Sequence, residues 1–122
     1  MTFVYLPCYN SSIINDEGGA NMLFQVVHTH TNETCPGRSP DQTKLLANWW
    51  QTLKKTSGVK VLAGYTSPMD HTFYITVEAD DYPTLARALG PLNSFGAGHT
   101  SPVLTLDQTL PLAESGAFRA SK

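Results

Sequence analysis

The sequence runs to 122 residues with a formal net charge of −2, 41% hydrophobic residues and only 15% charged ones. That length holds one domain and the apolar content supports one core, which excludes disordered, collagen-like and coiled-coil chains. No Lys/Arg block occurs, so electrostatic capture of nucleic acid or of an anionic membrane has no support. No apolar run reaches the roughly 20 residues that a membrane span needs.

Residues 1–21 differ in character from the rest of the chain. Phe3–Cys8 is apolar but short, contains Pro7 and lacks the basic flank of a signal peptide, and Asp16-Glu17-Gly18-Gly19 reads as a linker. The segment is expected to be an extension upstream of Met22, or an arm whose Phe3–Leu6 strand pairs with a sheet edge. A cytoplasmic location follows by default. Two cysteines, Cys8 and Cys35, are too few for a disulfide framework or a Cys-rich zinc site.

From Met22 the pattern sharpens. Met22–Thr31 alternates and is rich in β-branched residues, which predicts a first strand. Asn32–Arg38 is a loop. Ser39-Pro40-Asp41-Gln42 then opens a helix: Ser39 can cap it, Pro40 suits the first position and Gln42 occupies the capping-box position. Leu45, Leu46, Trp49, Trp50 and Leu53 share its predicted buried face, and Ser57-Gly58 ends it. Val59–Thr66 is a second strand, Ser67–Asp70 a turn, and His71–Ala79 a third strand. Asp80-Asp81-Tyr82-Pro83 opens a second helix that buries Leu85, Ala88, Leu89 and Leu92, with Gly90-Pro91 as its breaker. Gly98–Leu106 is a fourth strand, placed at an edge by Pro102. The body is expected over 22–110, with 111–122 as a polar tail.

This order, β-α-β-β-α-β, predicts an α+β fold of the ferredoxin-like kind: a four-stranded antiparallel sheet in the order 4-1-3-2 with two helices on one face. The uncovered face needs a partner, and a second copy of the sheet is the commonest solution. Gly58-Val59-Lys60-Val61-Leu62, Val77-Glu78-Ala79-Asp80-Asp81 and Ser101-Pro102-Val103 resemble a small uncharacterised family within the dimeric α+β barrel superfamily. That superfamily includes antibiotic-biosynthesis monooxygenases, muconolactone isomerases and stress-responsive barrel proteins. The resemblance implies a homodimeric barrel with a site between the facing sheets, and it carries architecture better than activity.

All four histidines fall on predicted strands, and the topology sends them to one rim. Strand one ends in His28-Thr29-His30 beside the starts of strands three and four, which carry His71 and His99, and Cys35 follows closely. An H-x-H pair on a strand presents two imidazoles on one side. A third His from a neighbour makes a three-nitrogen face suited to Zn, Cu, Ni or Fe(II). If Phe24 and Val26 face the barrel interior, His28 and His30 join His99, Tyr74 and Ser101 in one cavity, with His71 or Cys35 as a fourth ligand. Glu78, at about 3.3 Å per residue down strand three, lies too far from this rim to coordinate with it. Three functions compete. One is a metal-binding barrel protein. Another is a cofactor-free monooxygenase or isomerase acting on a small organic molecule, in which His28 or His99 moves protons. The last is a non-enzymatic ligand-binding dimer.

Overall fold

The computed structural model of the protein describes residues 21–120. The expected N-terminal arm and Cys8 lie outside the described residues. Four strands, β1 (Met22–His30), β2 (Val59–Ser67), β3 (Thr72–Ala79) and β4 (Gly96–Val103), form one antiparallel sheet in the order β2-β3-β1-β4. Helices α1 (Pro40–Lys55) and α2 (Tyr82–Leu89) carry the two long crossovers. A third helix, α3 (Leu106–Glu114), follows β4, so the six-element order expected from sequence is not exact.

Local chemistry explains the helix starts. The Ser39 side chain accepts from the Gln42 N–H at 3.2 Å with Pro40 in the first turn, and the Asp81 carboxylate accepts from the Thr84 N–H at 2.8 Å. That bond holds the Asp81 carboxyl below its ordinary pKa, because it favours the charged form. At the other end of α2, Gly90-Pro91 converts the chain to a 3₁₀ turn over Gly90–Ser94, as Pro cannot continue the hydrogen-bond ladder.

The core lies between the sheet and the helices. Phe24 and Val26 of β1, Ile75 and Val77 of β3, Trp49 and Leu53 of α1, and Leu85 of α2 are buried there, with Leu92 and Phe95 closing one end. The Trp49 indole N–H donates to the Ala88 carbonyl at 2.9 Å, joining α1 to α2. Trp50 lies against Gly64 so tightly that a Cβ there would sit 2.5 Å from the indole. Leu45, expected in this face, is 55% exposed; the apolar arc narrows to Leu46, Trp49, Trp50 and Leu53.

Two boundaries move. β4 starts and ends earlier than predicted, so Leu104 and Leu106, expected within the strand, stand exposed beyond it. The chain expected to trail off after them instead forms α3, which crosses the predicted end of the body at residue 110. Its start is a full capping box: Thr105 accepts from the Gln108 N–H at 3.0 Å while the Gln108 side chain accepts from the Thr105 N–H at 2.9 Å. No residue of α3 is buried. No helix among the described residues is long and apolar enough to cross a membrane.

Candidate metal centre

The two-residue alternation of β1 continues from Phe24 and Val26 into His28 and His30, so all four side chains point to the helix-covered face. The register settles the matter: His28 pairs with Phe73, Val26 with Ile75 and Phe24 with Val77. His28 is therefore a core residue, 4% exposed, with its ring stacked on Phe73 at 6.1 Å and 12°. Neither of its nitrogens makes a hydrogen bond of good geometry, although the backbone at Leu92 and Gly96 lies near the ring. Burial pushes its pKa down because the charged form cannot be solvated there, and the backbone at Leu92 and Gly96 only partly opposes this.

β4 comes unusually close to this end of β1. A Cβ on Gly98 would fall 2.0 Å from the Val27 carbonyl oxygen, and one on Gly96 even nearer that of Thr29. Glycine is required at both positions.

Beyond His30 the chain folds back in a pinned loop. Thr34 closes a turn on Thr31 through backbone and hydroxyl contacts. Arg38 donates from its backbone to the Cys35 carbonyl at 3.0 Å and from its guanidinium to the Glu33 carbonyl at 2.5 Å. Pro36 is buried, and its carbonyl accepts from the Thr43 hydroxyl of α1 at 2.8 Å. The half-buried Cys35 is thereby returned to the sheet end.

His71 arrives from the other side. A 3₁₀ turn over Pro68–Asp70, held by Ser67 Oγ on Asp70 Oδ2 at 2.8 Å, leaves His71 in the left-handed region (φ 52°, ψ 45°). It is the one non-glycine residue with positive φ among those described. Its carbonyl accepts from the His30 N–H at 3.0 Å, and the two rings meet edge to face at 5.0 Å and 78°.

His30, Cys35 and His71 each offer a ligand atom, and these atoms lie within 4.8 Å of one another, a group able to hold a metal ion. Zinc bonds of about 2.0–2.3 Å set tetrahedral ligand atoms roughly 3.3–3.8 Å apart, so small side-chain rotations would close the set. The Nδ1 atoms of His30 and His71 are buried without hydrogen-bond partners. Phe73 walls the site, 5.3 Å from the His30 ring. The His30 pKa is lowered first by burial and then by the neighbouring His71 and His28.

The expected constellation is thus divided. The structure unites His30, Cys35 and His71 and sets His28 beside them on the same face. It does not bring in His99. Opposite Val27, His99 is exposed on the other side of the sheet, where Ser101 and Tyr74 also lie. Of the two faces the sequence left open to Phe24 and Val26, the barrel-interior one is not taken, and the histidines go with them to the helix-covered side. Glu78 shares the His99 face, paired with Leu23 and Lys60 at the far end. Sequence reasoning did not anticipate the cavity of about 380 Å³ beside Cys35, walled by Glu33, Thr34, Arg38, Ser39, Gln42 and Ser94. Its only sequence signal was the compact Cys35-Pro36-Gly37-Arg38 turn.

The chain belongs to the family described as a domain of unknown function, DUF3303, whose model matches residues 22–117. The match covers the whole sheet and all three helices. No curated protein matches the chain. No solved structure matches it either.

Proposed function

We propose that the protein binds one transition-metal ion through His30, Cys35 and His71. What carries this reading is the three-donor group at the end of the two central strands. A thiolate with two imidazoles selects borderline and soft ions, so Zn or Cu suits this donor set better than Ni or Fe, and hard cations suit it poorly. Three protein ligands leave a fourth position for water or a second ligand. His28 stands behind His30 on the same face as a buried imidazole, outside the three-donor group itself. The test is elemental analysis of metal-reconstituted protein beside His30→Ala, Cys35→Ser, His71→Ala and His99→Ala. About one ion per chain is expected in the parent and in His99→Ala, with loss in the other three. Equal metal content in all five, or none in any, defeats the reading.

The open sheet face supports a second, separate reading, a homodimer. Leu23, Val27 and Val103 lie half-buried on it beside Tyr74, and α3 adds exposed Leu106, Leu110 and Leu112. A monomer that leaves these in water forgoes their burial, at roughly 25 cal/mol per Å². Two such faces packed together would enclose His99, Ser101 and Tyr74, the place for a small organic ligand. Light scattering at micromolar concentration decides it: twice the chain mass is expected, and a monomer refutes it.

A further inference from the structure

Cys35 belongs to two surroundings at once. With His30 and His71 it forms the donor group. It also lines the polar cavity of about 380 Å³, which neither histidine borders. A water molecule occupies about 30 Å³ of liquid, so a small solute can enter there without displacing an imidazole. The cavity wall also holds the Arg38 guanidinium, a hydrogen-bond donor with capacity beyond its one bond to Glu33. The loop is fixed by buried Pro36 and by the Cys35–Arg38 and Pro36–Thr43 bonds, which hold the Cys35 backbone at this opening.

We infer that Cys35 is a modification site: a hydroperoxide entering this cavity oxidises the metal-bound sulfur and expels the ion. The inference rests on the metal-binding reading above. Coordination removes the thiol proton. A sulfur lone pair attacks the distal peroxide oxygen, the S–O bond forms as the O–O bond breaks, and the distal hydroxyl becomes that of a sulfenic acid. Sulfur gives up two electrons. The peroxide takes them and leaves as hydroxide or alkoxide, which draws a proton from solvent. A sulfenic acid is a poor donor, so two imidazoles remain and the ion departs. Among the described residues Cys35 is the only cysteine, so no disulfide partner stands within that part of the fold, and a thiol reductant restores the donor.

The full chain carrying Cys8→Ser is loaded with zinc and treated with hydrogen peroxide. Released zinc is followed with a chromogenic chelator, and Cys35 oxidation is followed by dimedone trapping and peptide mass spectrometry. One zinc released for each trapped Cys35 is expected, with rebinding after a thiol reductant. Zinc retained while Cys35 stays unmodified overturns the inference and leaves the metal reading intact. Zinc released with Cys35 unmodified overturns it too. Failure to load zinc before any peroxide is added sinks both, and is seen at that earlier step.

Discussion

His28→Leu, studied with a chelator present, is expected to stabilise the fold. The native imidazole is 4% exposed and neither nitrogen makes a hydrogen bond of good geometry, so folding strips its hydration and only the backbone at Leu92 and Gly96 partly compensates. An unsatisfied buried polar group costs about 1–3 kcal/mol, and leucine of similar size keeps the contact with Phe73 while removing that cost. The gain should approach that range, or roughly 4–8 °C in Tm for each kcal/mol in a domain of this size. The pH dependence gives an independent check. Burial lowers the folded-state pKa of His28 below its ordinary 6.5. Its neutral form is therefore favoured by folding, and stability is full above 6.5. As pH falls below 6.5 the unfolded chain takes up a proton that the folded chain resists. Stability is lost at up to about 1.4 kcal/mol per pH unit until the folded pKa is reached. Urea melts from pH 8 to 5 should show that decline in the parent and a shallower one in His28→Leu, with His30 supplying the remainder. A variant less stable than the parent at pH 8, with an unchanged acid slope, would refute the account and mean that His28 is satisfied in solution.

Gly98→Ala should destabilise by about 1–3 kcal/mol or more in thermal melts, since its Cβ would stand 2.0 Å from the Val27 carbonyl and the backbone must move. Gly64→Ala should also destabilise, and Trp50→Leu should recover part of the loss in a double-mutant cycle, because the clash is with that indole; additive losses would contradict the packing. Leu85→Ala, at the fully buried centre of α2, should cost about 2–5 kcal/mol by urea melts, and a smaller loss would mean the helix repacks. Ser39→Ala should cost about 1 kcal/mol through loss of the α1 cap, whereas Ser39→Asp should be near neutral.

Much of the architecture was legible because each local signal agreed with the next. Ser39-Pro40 and Asp81 mark helix starts that form where expected, and the strand sequence with its two helical crossovers fixes the sheet order. α3 was missed because its chemistry is in the cap, Thr105 with Gln108, while Pro111 and the exposed leucines disguise the helical pattern. Topology alone sends His28, His30, His71, His99 and Cys35 to one rim, and of these only His30, Cys35 and His71 come together as a donor group. The face could not be read, because β1 is apolar on both sides: Leu23 and Val27 compete with Phe24 and Val26. Only the pairing of His28 with Phe73 resolves it, and a one-residue parity decides whether an imidazole is core or lining. The place of His71 was illegible for another reason. Its side chain is directed by a left-handed turn conformation, which strand alternation does not describe.

Position 71 therefore answers to two masters. A left-handed histidine carries a backbone penalty of about 1–2 kcal/mol that glycine would not, so replacement by glycine is the obvious route to a sturdier hairpin. The same replacement deletes a donor nitrogen from the group at the strand ends. Any search for thermally hardened variants of this chain should find that route open, and each protein that takes it should come back more stable and less able to hold an ion.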